Sequence, residues 1–184
     1  MRKIFKPLIP QYQSVQIGAR IYDTCIPSKE EFDNFWFKKA GLPPTFQSWF
    51  SVSQIYVWMC LVRLRKESVE ISKDTKQQLI DSFFTDAERR IRNQGIKSGK
   101  IVNDSLKDLN SGFLGTVSSF DQGFVSDDTV LAAAIWRNLL SNCESTHILR
   151  IVVEFVRQQL SLLDKVPSDA FIRGNFSFDK SLLL

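Results

Sequence analysis

The sequence predicts an all-α fold, a compact single-domain bundle of about seven helices around one central hydrophobic helix. Three observations carry that expectation. Apolar residues recur at three- and four-residue spacing in segment after segment, no convincing strand or internal repeat is present, and Gly, Pro and capping residues stand at the breaks. A chain of 184 residues suits one domain, in which about 70% of the unfolded surface can be buried. The apolar part is unusually aromatic, with 15 Phe and 4 Trp against 8 Gly, and large rings fill helix interfaces well.

Residues 1–13 form a basic lead. Arg2, Lys3, Lys6 and Arg20 occur with no acid before Asp23, a bias shared with mitochondrial import signals. Pro7 and Pro10 spoil a clean amphipathic helix there, so a short uncleaved signal and a plain lead-in to the first helix fit about equally, ahead of the remnant of a longer precursor. The helical domain spans 14–171. Val15 to Cys25 makes a short first helix. Ser28-Lys-Glu-Glu31 is a capping-box pattern that opens the second, Gly41 ends it, and Pro43 and Pro44 bar continuation. Thr45 then caps a third helix reaching about Lys66, apolar nearly all round and therefore central. Only Ile55 to Val62 is uninterrupted there and Arg63 and Arg65 follow at once, so a buried core helix is favoured over a membrane span, which needs about 20 apolar residues.

From Asp74 to about Gln94, Leu79, Ile80, Phe83, Phe84, Ala87 and Ile91 form one stripe, and Gly95 stops the helix. On the face read as outer, Asp86 with Arg90 and Glu88 with Arg92 are i,i+4 pairs. The fifth helix, about Ile101 to Ser119, contains Gly112 and Gly115. Each interior Gly costs about 1 kcal/mol against Ala, which predicts a kink or a close backbone approach. Gly123 reads as a turn. Ser126-Asp-Asp128 opens the sixth helix, to about Leu140. In the seventh, Ile148, Ile151, Val152, Phe155, Val156, Leu160, Leu162 and Leu163 mark the buried side and Pro167 closes it. Residues 172–184 have little pattern and read as a tail that docks on a partner.

No catalytic constellation emerges from the residue types. The single histidine, His147, has no G-x-S-x-G elbow to accompany it, and its C-x3-H pairing with Cys143 is too sparse for a zinc site. Phosphate-cradling Gly-rich loops are absent. Cys25, Cys60 and Cys143 lie in apolar stretches and read as reduced packing residues. Asp127 and Asp128 suit a helix N-terminus better than acid–base catalysis, although convergence of Asp121, Asp127 and Asp128 in one cleft would revive an enzyme. No cofactor or metal is expected. The net charge of +4 allows anionic partners without specifying one. Arg89, Arg90, Arg92, Lys97 and Lys100 are candidates for contact with ribosomal RNA, whereas the rings sit on apolar stripes and so disfavour sequence-specific RNA reading; no DNA partner is expected. Trp136 lines up with Ala132, Ala133 and Leu140, off the main apolar side of its helix, so that helix carries two apolar faces.

Several linked segments resemble one family: the Phe46, Trp49 and Phe50 opening, Val57-Trp-Met-Cys-Leu-Val-Arg63, Asp86-Ala-Glu-Arg-Arg90, and Ser126-Asp-Asp128 through Trp136-Arg-Asn138. In order and wording they look like the ubiquinol–cytochrome c chaperone domain, over roughly Ser14 to Phe171. The resemblance implies a compact helical body without enzymatic activity, working on the matrix side of the mitochondrial inner membrane in complex III assembly. It further implies a small helical assembly-factor partner, the mitochondrial ribosome and newly made cytochrome b as partners, with peripheral membrane contact. On that basis Phe46, Trp49, Tyr56, Trp58, Trp136 and Arg137 are candidates for partner or client binding. A permanent accessory subunit of a large mitochondrial complex is the alternative that the same helical surfaces would serve.

Overall fold

In a computed structural model that describes residues 11–183, every regular element among those residues is helical. Eight α-helical segments are present: α1 (Gln11–Cys25), α2 (Lys29–Glu31), α3 (Phe46–Arg63), α4 (Val69–Asn93), α5 (Gly99–Val125), α6 (Asp128–Asn138), α7 (Thr146–Lys165) and α8 (Ser168–Ile172). Residues 1–10 of the basic lead, including Arg2, Lys3 and Lys6, lie outside the described residues.

The centre is α3. Its start is fixed by Thr45, whose hydroxyl accepts from the Ser48 amide at 3.3 Å. Apolar on nearly every side, it is buried along almost its whole length, against α4, α7, α1 and α5. No described helix is long and apolar enough to cross a membrane. The α1–α4 pair covers one flank and the α5–α6 hairpin with α7 the other.

Local chemistry explains most boundaries. Ser28 caps α2 by accepting from the Glu31 amide, but Glu31 does not complete a capping box. Its carboxylate turns inward and accepts from Trp36 Nε1 at 3.0 Å and from the Tyr56 hydroxyl. Beyond α2 the chain widens into a π-helical turn, Phe32–Phe37, and Gly41 leaves the helix at a φ of 71° that suits glycine. Asp127, not Ser126, caps α6 by accepting from the Thr129 and Val130 amides. The stripe helix α4 starts at Val69, five residues before the expected Asp74.

The glycines of α5 act differently from expectation. A methyl group at Gly112 or Gly115 would meet nothing within 4 Å, so neither marks a close approach. The close approach lies at Gly123, which is helical and buried; a Cβ there would stand 2.7 Å from Leu131 Cα. Gly18 plays the same part where α1 crosses Gln78 of α4.

After α8 the chain folds back over its own body instead of standing free. Phe178 packs edge-on to Tyr56 with centroids 4.8 Å apart, and Leu183 is buried. Gln159 and Asp179 exchange two hydrogen bonds, of 2.7 and 2.8 Å, and Lys180 Nζ lies 2.5 Å from Glu31 Oε2. The expected partner-docking tail is therefore corrected: Phe176, Phe178 and Lys180 have partners within the chain.

Candidate partner and client surfaces

The Pro43-Pro44 break turns the chain sharply into α3, and so brings the first turn of that helix beside the π-helical turn. Between them lies a groove of about 420 Å³ walled by Pro27, Phe32, Phe37, Pro44, Phe46 and Trp49. Phe46 and Trp49 rings stand 5.6 Å apart, and behind them Phe50 stacks on Phe83 at 4.7 Å. Arg90 reaches in from α4 and lays its guanidinium 4.0 Å above the Trp49 ring, a cation–π contact that also orders the indole. Trp49 Nε1 is buried with no hydrogen-bond partner among the described residues, a state that costs about 1–3 kcal/mol.

Arg90 is held in that position by Asp86, to which Nε donates at 3.1 Å. Asp86 was read as an outer-face residue. It is buried, because its oxygens also accept from the Tyr22 hydroxyl at 2.8 Å across the α1–α4 contact and from Arg89. Burial alone would raise its carboxyl, but the hydrogen bonds from Tyr22, Arg90 and Arg89 together outweigh that and hold it below the usual carboxylate range. Tyr22 is pushed in the opposite sense, first by burial and then by the charge of Asp86, so the hydroxyl stays a donor.

The predicted site residues do not form one surface. Phe46, Trp49 and Arg90 share the groove. Tyr56 and Trp58 are not surface residues: Tyr56 lies under Phe178 and bonds Glu31, and Trp58 donates to Asp121 Oδ1 at 2.9 Å and packs on Phe120. Their burial follows from the all-round apolar character that made α3 central. Trp136 sits elsewhere, on α6, and is 45% exposed although Leu131, Ala134 and Ile135 of the same helix are buried. Beside it Arg137 Nη2 donates to Ser119 Oγ at 3.3 Å, across the α5–α6 hairpin.

The basic candidates divide as well. Arg90 belongs to the groove, while Arg89, Arg92, Lys97 and Lys100 are exposed where α4 turns into α5. Arg92 pairs with Glu88 at 2.7 Å, as its i,i+4 spacing predicted. The three aspartates weighed for catalysis are spread over structural tasks: Asp121 binds Trp58 and Arg65, Asp127 caps α6, and Asp128 pairs with Arg157. Cys25 and Cys60 are free and buried with sulfurs 3.5 Å apart, and Cys143 is free. His147 is exposed near Arg150.

One feature escaped sequence reasoning: a cleft at the meeting of α3, α5 and α7. Arg63 had one pairing visible at i,i+4 spacing, with Glu67 at 2.6 Å, but the other acceptors of Arg63 and of Arg157 are backbone carbonyls far away in sequence and left no signal. Arg63 donates to Leu163 O and Val166 O, both at 2.8 Å, and Arg157 to Phe124 O, Gly123 O and Ser126 O. Each arginine thus closes the carbonyl end of a neighbouring helix, where positive charge is favoured.

Fold and surfaces together define an all-helical body, with polar side chains used mainly to join helices, an aromatic groove in which Trp49 is itself buried, and an exposed ring at Trp136. The family model for the ubiquinol-cytochrome C chaperone matches residues 38–178. The chain is 37% identical over 164 residues to ubiquinol-cytochrome-c reductase complex assembly factor 1 of Xenopus laevis, covering 89% of this chain and 80% of that protein. It is 33% identical over 152 residues to the mitochondrial protein CBP3 of Saccharomyces cerevisiae, covering 80% and 45%. Against the human complex assembly factor 1 it is 32% identical over 175 residues, covering 94% and 57%, so it spans about half the length of the yeast and human relatives. The crystal structure of the Cbp3 homolog from Brucella abortus has the same fold, with a TM-score of 0.74 over 91% of each chain at 22% identity. The chain belongs to the ubiquinol–cytochrome c chaperone family, a family of assembly chaperones and not of enzymes.

Proposed function

We propose that this protein is a mitochondrial assembly chaperone for respiratory complex III. It acts by reversible binding of newly made cytochrome b, together with a small helical partner and at the mitochondrial ribosome. Family membership supports the assembly role, since the frog and human relatives are complex assembly factors and the yeast relative is mitochondrial. Cytochrome b, the ribosome, the helical partner, the matrix side of the inner membrane and peripheral membrane contact follow from what the resemblance implies. Residues 14–171 form the working domain in this reading.

The observation that carries the surface assignment is the pairing of a groove built from Phe46 and Trp49 with an exposed Trp136 on a different helix. A binding module for two different apolar partners needs two such places, since aromatic anchors dominate contact energy. The exposed cations at the α4–α5 turn supply a third surface, suited to phosphates. The test is a tagged pull-down from crosslinked mitochondria with mass spectrometry. Transient, substoichiometric capture of ribosomal proteins, a small helical protein and cytochrome b is expected. A fixed stoichiometric complex without cytochrome b would sink the chaperone reading in favour of a permanent subunit.

A further inference from the structure

The cleft at the meeting of α3, α5 and α7 lies apart from the aromatic groove and from Trp136, and the proposed chaperone cycle makes no use of it. It encloses about 720 Å³, within the range of small-molecule sites. Val62, Phe124, Leu160 and Leu163 line its interior. Arg63, Arg65, Lys66 and Arg157 also line it, against the single carboxylate of Asp164. We propose that this cleft binds one anionic acyl chain of a lipid, with the chain between Phe124 and Leu160 and the head group on Arg65 and Lys66.

Three observations select that occupant. The apolar walls come from three helices that converge within two turns, from Arg157 to Asp164 on α7, about 10 Å. Such a slot is too short for the apolar stripe of a docking helix but suits a flexible chain. The cations fall into two kinds. Arg63 and Arg157 are locked onto helix-end carbonyls and paired with Glu67 and Asp128, so they hold the walls in place. Arg65 and Lys66 are about half exposed, Arg65 paired with Asp121 at 2.6 Å and Lys66 with Asp164 through its carboxylate at 3.0 Å and its backbone carbonyl at 2.7 Å. Exposed pairs of that kind exchange partners at little cost, so a phosphate or carboxylate can replace the aspartates. Finally, Val125, 75% exposed beside Phe124, and Leu162, 37% exposed on α7, extend the apolar character to nearby surface.

The test is calorimetric titration of the folded protein with dodecyl phosphate below its micelle concentration, beside dodecyl maltoside and inorganic phosphate. Saturable one-to-one binding of dodecyl phosphate is expected, at least roughly tenfold tighter than either control. Ser161→Trp fills the cleft from an exposed position and should abolish binding. Arg65→Gln with Lys66→Gln, also exposed, should weaken dodecyl phosphate to the level of the maltoside while leaving the melting midpoint nearly unchanged. Equal binding of the neutral amphiphile would overturn the anionic head-group assignment. Inorganic phosphate binding as tightly as the amphiphile would reduce the cleft to an anion site and overturn the acyl chain. Undiminished binding in both variants would place the ligand elsewhere.

Discussion

Asp86 shows how a single side chain joins stability to a surface. It binds Tyr22 of α1 and holds Arg90 over Trp49, so its ionisation supports both the α1–α4 contact and one wall of the groove. Its carboxyl is held below the usual range, so the stabilisation is present above the unfolded value of about 3.9 and is lost as pH falls through the lower folded value. Thermal melts between neutral pH and about pH 3 should therefore show a steeper fall for the wild type than for Asp86→Asn; parallel curves would contradict the linkage. Aromatic candidates separate by the same logic of position. Trp136→Ala should change stability by less than about 0.5 kcal/mol, as surface substitutions do, yet lower co-purification of the helical partner or client. Trp58→Ala should cost about 3–5 kcal/mol, and near-native stability by urea titration would refute its core placement. Sequence reasoning marked both as candidates because composition shows a ring without showing its depth. For Trp136 the second apolar face of its helix was legible, but the pattern favoured burial of both faces in the core and did not show that this ring stays exposed. Asp86 was misread because an i,i+4 partner looks the same on an exposed and a buried face.

The elements were legible wherever periodicity and caps agreed. The stripe of α4, the Thr45 cap and the Pro43-Pro44 break stand where local pattern put them, and so does the buried side of α7 except at Ile151, which is half-buried, and Leu162, which is exposed. What failed was the meaning of glycine, because a residue without a side chain carries no sign of its neighbours. Gly112 and Gly115 sit on open helix surface, whereas Gly123, read as a turn, is the contact point of the α5–α6 hairpin. Gly115→Ala should therefore stabilise the protein by about 0.5–1 kcal/mol, the helix-interior difference between the two residues. Gly123→Ala should instead destabilise it and lower the melting midpoint, because the added methyl would press on the Leu131 backbone. A stable Gly123→Ala variant would show that the hairpin can spread at little cost. The closing segment after α8 was missed for a related reason: its Phe176, Phe178 and Leu183 follow no period, since each fills a gap left by other elements.

Across the whole molecule, charge is distributed unevenly between function and structure. Arg63, Arg90 and Arg157 tie elements together, while Arg89, Arg92, Lys97 and Lys100 remain exposed in one region. Charge reversal at Arg92, Lys97 and Lys100 should shift the protein out of ribosomal fractions in low-salt sedimentation without altering its melt; an unchanged profile would remove the ribosome from this surface. The global fold class was readable because helical period, length and breaks all point one way, but the arrangement of surfaces depends on contacts between residues more than a hundred positions apart. Lys180 with Glu31 is one of these, and it sets an order of events in synthesis. Glu31, Trp36 and Tyr56 meet around one buried carboxylate, but the cation that offsets it is made only after α8. The segment from α2 to α3 thus emerges with an incomplete interior, and its folding cannot finish until Lys180 has been made.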